Sequence, residues 1–352
     1  MQGETGLGAP ETPAPVQDRF ADWRAVVARY QGSDIARSLF QLVTTLALLG
    51  GTLTAMHFTL ARAPWVTALL LLPAAGFLIR TFIIMHDCGH GSFLPWPKVN
   101  DAVGFVTGLV MLTPYAQWRR EHALHHASSG DLDRRGVGDV TTLTVREYVL
   151  LSRWGRFRYR LFRNPAVLLG LGPLHMIVLQ RFRARSVATG SRQLWSVWLT
   201  NVAIAGLAAT FLIAAGPKSL LLVYLPTYYL AAMMGVWLFY VQHQFEDAYW
   251  ESRTNWDYAT AAIAGSSYLR LPKVLQWFTG NIGLHHVHHL GPRIPNYRLQ
   301  RAHDENALFK AAPVVTIGTG VRALRLALWD EQARRLVRFK DVRAALERRA
   351  AR

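Results

Sequence analysis

HDCGH (86–90), WRREHALHHASSGDLDRRGVGD (118–139), QHQFE (242–246) and NIGLHHVHHLGPRIPNYRL (281–299) decide the reading of this chain. Ten of its 13 histidines lie in these four stretches, each beside an apolar run. Imidazole is the commonest protein ligand for first-row transition metals. A lone histidine is more often a satisfied core or surface residue, and a lone HxxxH is a weak signal. Two HxxHH patterns plus an HxxxH in one chain reverse that balance. On a helix each residue advances about 100°, so positions i, i+3 and i+4 share a face. His122, His125 and His126 therefore aim at one region, as do His285, His288 and His289, while His86 and His90 are one turn apart. Neighbours within a trio diverge by about 100°, which suits two metals better than one. His286 projects away from its trio and reads as a supporting residue.

Nine imidazoles exceed what one ion accepts, so two metals are implied, with an open position for a small reactant. Zinc, iron, copper and nickel all accept imidazole, and the histidines alone leave that choice open. The absence of a cysteine box excludes zinc fingers and iron–sulfur clusters. Ligating histidines normally donate their second N–H to a carboxylate or carbonyl. Asp87, Glu121, Asp131, Asp133, Asp139, Glu246 and Asp247 lie beside the groups, and Asn281 sits one turn before His285. Each is either an outer partner of the site or an ordinary surface residue.

Half the residues are hydrophobic, yet the formal charge is +17. That combination fits a membrane protein whose basic residues gather on the cytoplasmic side. Nucleic-acid binding, the other home of basic chains, is disfavoured because no such motif is present. Residues 36–60, 64–85, 194–215 and 219–242 form apolar runs of 22 to 25 residues. At about 1.5 Å per residue each crosses a hydrocarbon core of about 30 Å. Lys and Arg number 15 in residues 86–193 and 17 after residue 243, whereas the two short connecting loops offer only Arg62 and Lys218. Both termini, the central loop and all four histidine groups are thus expected on the cytoplasmic side.

Residues 1–15 are Gly/Pro-rich and read as a disordered tail, without the pattern of a cleavable leader. Residues 16–35 place Phe20, Trp23, Val26, Val27 and Tyr30 at helical spacing, as a membrane-surface helix or as packing on the cytosolic part. Residues 99–114 and 166–180 are apolar but short or Gly/Pro-interrupted, and read as re-entrant or interfacial helices. Residues 36–310 form the main membrane domain. Residues 311–352 are expected to be a basic helical cytosolic segment, with 326–352 one amphipathic helix. The single cysteine, Cys88, excludes an internal disulfide.

The histidine-bearing stretches resemble those of the membrane fatty acid desaturase family, over roughly residues 83–306. The resemblance implies an all-α membrane protein of four transmembrane helices under a helical cytosolic cap holding two non-haem irons. By the family pattern His86, His90, His122, His125, His126, His243, His285, His288 and His289 are the ligands, and Asn281 acts through water. It further implies O2 as co-substrate, an acyl lipid or other acyl substrate, and an external donor such as ferredoxin or a haem carrier. HDCGH followed by HxxHH resembles the methyl-end, acyl-lipid subtype. Lipid or alkyl hydroxylases and carotenoid oxygenases use the same scaffold, and a zinc-dependent membrane hydrolase is a more distant reading. A metal transporter would carry ligands at mid-span, not at span ends.

Overall fold

The computed structural model describes residues 22–136, 138–178 and 190–350. The expected tail and part of the 166–180 segment lie outside them. In chain order come α1 (Trp23–Ala28), α2 (Ile35–Thr59), α3 (Pro64–His90), α4 (Pro97–Val110) and α5 (Tyr115–Ser128). After β1 (Leu143–Thr144) follow α6 (Val145–Leu150), α7 (Arg153–Phe162), α8 (Pro165–Ile177), α9 (Ser191–Ser219) and α10 (Leu225–His243).

Three stretches are long and apolar enough to cross a membrane: α2, α3 and the 53-residue run Ser191–His243. The last is not one straight rod. Gly216, with φ 75° and ψ 166°, interrupts it ahead of Pro217. The rings of Phe211 and Tyr224 then meet at 4.7 Å. In an unbroken helix those 13 residues would be about 20 Å apart, so the chain doubles back at Gly216 and then runs through the π-helical segment Leu220–Tyr224 into α10. α3 is the most enclosed stretch. Its Ala74, Ala75 and Gly76 admit neighbours closely, and a Cβ on Gly76 would lie 2.6 Å from the ring of Phe278. Ile79 of α3 shares one cluster with Leu238 and Val241 of α10. The two helices therefore bring their C-terminal ends, and with them His90 and His243, to the same end of the bundle.

The remaining elements gather at that end: α11 (Tyr258–Ala264), β2 (Tyr268–Arg270), α12 (Lys273–Phe278), α13 (His285–Leu290), α14 (Asn296–Glu305), β3 (Val314–Thr316), α15 (Ile317–Ala323), β4 (Leu328–Asp330), β5 (Arg335–Val337) and α16 (Val342–Ala350). The fold is mostly helical but not all-α. β2 and β3 pair in parallel, and β1, β4 and β5 form a three-stranded sheet. That sheet corrects the expectation of a single helix over 326–352. Leu328 packs among Val145 and Tyr148, and Trp329 beside Phe245 and Trp250. Both residues are buried, which a one-faced surface helix does not allow. Among the described residues there, Val342–Ala350 is α-helical, preceded by the single 3-10 turn Phe339–Asp341.

Near the N-terminus, Val27 and Tyr30 are buried against Leu284, Val287 and Leu290. Within the described part of that stretch, these two residues pack on the segment that carries the last histidine box. The HDCGH motif is the last turn of α3, five residues beyond the expected end of the span, and left-handed Gly91 (φ 68°) closes it.

Candidate metal centre

The nine histidines lie in two groups. His86, His90, His122, His126 and His288 form one, and His125, His243, His285 and His289 the other, with ligand-capable atoms in each within 4.8 Å of one another. Each HxxHH box divides between them. The i, i+4 pair His122/His126 points one way and His125 the other, while His285/His289 and His288 make the converse split. His126 and His289 stack with ring centroids 4.1 Å apart, so the groups adjoin. Seven of the nine are buried, and His90 and His122 are half-buried. Outside the spanning helices, burial and then the neighbouring imidazoles push His122, His126, His285, His288 and His289 well below the ordinary histidine range. At neutral pH they are uncharged, the form that ligates metal.

Hydrogen bonds settle which nitrogens face inward. His125 Nδ1 donates to Asp139 Oδ1 at 2.6 Å, and His243 Nδ1 donates to the Gly265 carbonyl at 3.2 Å. Both oxygens only accept, so both rings keep a lone pair on Nε2. Those two Nε2 atoms are 3.1 Å apart, and His285 Nε2 stands 2.9 Å from that of His243. Facing lone pairs repel unless a cation lies between them. Ligands about 2.1 Å from one ion at right angles would be separated by about 3 Å. The same spacing recurs in the other group, where His126 Nε2 faces His122 at 3.1 Å and His288 at 3.0 Å. His90 Nε2 and His289 Nε2 are buried without a hydrogen-bond partner. This donor set fits two metal ions.

Asp139 reaches His125 because Gly138, at φ 69°, brings the loop against α5, where a Cβ would lie 3.0 Å from that of His125. Asp87 contacts His86 Nδ1 at 3.4 Å, and its Oδ2 accepts from Asn296 N and Nδ2, each at 2.8 Å. Asn281, with φ 58°, donates to the Asn296 carbonyl at 3.2 Å. Trp118 stacks on His122 at 4.6 Å.

Three expected carboxylates bind elsewhere. Asp131 accepts from Arg134 Nε at 2.5 Å and Asp133 from Arg253 N at 2.9 Å. Glu246 lies beyond the end of α10, exposed and paired with Arg335 at 3.3 Å. They are adjacent to the histidines in sequence, but the hydrogen bonds and ion pairs they make are to arginines and backbone and not to an imidazole. Glu121 accepts from Gln117 at 2.7 Å. His286 stays out of both groups and meets His303 Nδ1 at 3.0 Å; burial and His303 lower its pKa to about 3. Ser129, 3.4 Å from His243 Nδ1, Gly265 and Asn296 were not foreseen, because nothing local in sequence links them to a histidine.

Apolar spanning helices with imidazoles converging at one end define a membrane protein built around a polyhistidine, metal-suited centre. The chain belongs to the fatty acid desaturase family: the family model "Fatty acid desaturase" matches residues 61–316. It is an oxidoreductase of that family. A "Fatty acid desaturase" of Bacillus subtilis (strain 168) is 43% identical over 318 residues, covering 90% of each chain. An "sn-1 oleoyl-lipid 12-desaturase" of Anabaena variabilis is 29% identical over 70% of this chain and 71% of its own. An "sn-1 acyl-lipid omega-3 desaturase (ferredoxin)" of Nostoc sp. (strain 36) is 26% identical over 86% and 83%.

Proposed function

We propose that this protein is an oxygen-dependent acyl-lipid desaturase that introduces a carbon–carbon double bond into an acyl chain at a di-iron centre. The observation that carries the proposal is the pair of facing Nε2 lone pairs on His125 and His243, with the same Nε2–Nε2 spacing recurring in the adjoining group. All nine histidines serve as ligands, five to one ion and four to the other. Bound iron would supply the reductive activation of dioxygen that dehydrogenating two adjacent methylenes requires. The chain's own residues do the rest. Asp139 and the Gly265 carbonyl fix the tautomers of His125 and His243. Asp87, steadied by Asn296, orients His86, and burial of the groups keeps bulk water away. The reversal at Gly216 supports a four-span reading, and the basic residues that follow the spans at the histidine end support a cytoplasmic position for it. The acyl-lipid relatives support a lipid-linked substrate, and the ferredoxin named for the Nostoc protein supports an external one-electron carrier.

Expression in a host with a simple fatty acid profile, in air and under argon, tests this. Mass spectrometry should find a new double bond, without added oxygen, in air only. Purified protein should carry iron at about two per chain. A hydroxylated product, or zinc with activity under argon, would overturn the proposal. His126→Ala and His288→Ala should each abolish product and lower bound iron while the protein stays in the membrane.

A further inference from the structure

We propose that α7, with Leu150 ahead of it, is a docking face that seats on anionic lipid headgroups at the histidine end of the spans. The helix reads RWGRFRYRLF and contains no acidic residue. Trp154, Phe157 and Leu161 recur at helical spacing along one face, 65%, 53% and 49% exposed, and Leu150 extends the stripe. Trp154 and Phe157 stack on each other at 5.3 Å, so the exposed aromatics form a rigid pair. The opposite face is anchored. Tyr159 is buried, donates to the Ala327 carbonyl at 2.6 Å and accepts from Leu143 N at 3.0 Å.

Charge points the same way. Arg153, Arg156, Arg158 and Arg160 are exposed. Arg156 donates to the carbonyls of Leu151 and Val149, and Arg160 to the hydroxyl of Tyr148. Among the described residues no carboxylate pairs with any of the four. The nearby acids Glu147, Asp341 and Glu347 are taken by Arg135, Arg338 and Arg343. Uncompensated arginines around an exposed Trp–Phe–Leu stripe match the boundary of an anionic leaflet, where guanidinium meets phosphate and aromatic rings enter the headgroup layer.

Continuity with the spans sets the level. Immediately after α7, Arg163 donates to Tyr240 and Gln244 at the C-terminal end of α10. α8 then runs along α10, with Tyr229 donating to the Gly170 carbonyl at 2.9 Å and Leu168 packed on Val236 and Tyr240. The stripe therefore sits where α10 leaves the apolar layer, and its occupant is the lipid surface.

A nitroxide at Phe157→Cys in the full chain tests this, since Cys88 is buried and stays unlabelled; Leu161→Cys gives a second, independent probe. In nanodiscs of phosphatidylcholine with phosphatidylglycerol, both probes should be far more accessible to oxygen than to a water-soluble nickel chelate. Adding Arg153→Gln and Arg158→Gln should lower that preference at least about twofold. Preference for the nickel chelate at both probes would overturn the proposal. So would protection that appears only when an acidic electron carrier is added, which would make the stripe a protein-docking face. The readout needs neither metal nor turnover, so its failure is distinct from failure of the desaturase reading.

Discussion

At the residue scale the centre depends on groups that decide which nitrogen of each ring faces inward. Asp139 is the clearest case. Its carboxylate only accepts, which holds the His125 proton on Nδ1 and frees Nε2. An amide there can present N–H instead and reverse the tautomer. Asp139→Asn should therefore lower metal affinity or activity by about 10- to 100-fold, read as iron per chain and product per chain, with expression unchanged. Activity equal to the parent would remove Asp139 from the site. The histidines themselves were legible in the sequence, because spacing on a helix translates directly into direction. Their partners were legible only in part: Asp87 and Asp139 stand among the expected carboxylates and do meet His86 and His125, but nothing in the sequence sets them apart from Asp131, Asp133 and Glu246. Asp139 lies 14 residues from His125 and reaches it through a left-handed glycine, whereas Glu246, three residues from His243, is turned to solvent past a helix end. A loop's path is set by such backbone turns, and proximity along the chain says little about it.

Among the elements, the spans were legible because twenty or more apolar residues have one solution in a bilayer. Strands of two or three residues were not, because they carry too few positions for a period to be seen. Leu328 and Trp329 become a strand through burial by distant residues, and no local preference announces it. Two junctions bear testable weight. Gly216 holds φ 75° and ψ 166°, a region open essentially to glycine alone. A Cβ there meets nothing within 4 Å, so the cost of Gly216→Ala is backbone strain of about 1–3 kcal/mol. The melting temperature in detergent should fall by a few degrees with activity retained; an unchanged value would mean the reversal tolerates a side chain.

Arg163 locks a second junction. It is 2% exposed, and its guanidinium donates to Thr141 O, Thr142 Oγ1, Tyr240 OH, Gln244 Oε1 and Leu326 O. All are neutral acceptors, and a cation at the C-terminal end of α10 is favoured by the helix dipole. Arg163→Met removes all five of these hydrogen bonds at the end of α10 that carries His243. It should destabilise the protein by about 3 kcal/mol and lower bound iron, while Arg163→Lys should recover part of both.

For the whole molecule, the decisive asymmetry is electrical. Residues 86–193 and those after 243 carry 15 and 17 basic side chains, against Arg62 and Lys218 in the two short loops at the opposite end. Among the described residues the folded chain keeps that division, since α3 and α10 deliver His90 and His243 to the end where the later elements gather. A four-span chain whose basic end is retained in the cytoplasm puts its metal centre on the side where soluble one-electron carriers are found, so orientation and electron supply are one question. The expected topology is therefore checkable without activity. Alkaline phosphatase inserted beside Arg62 or Lys218 should be active in a bacterial host, and a fluorescent protein fused after Arg352 should fold and emit. Phosphatase activity from a fusion at Arg352, with silence at both loops, would invert the protein. It would leave the centre facing away from its electron source.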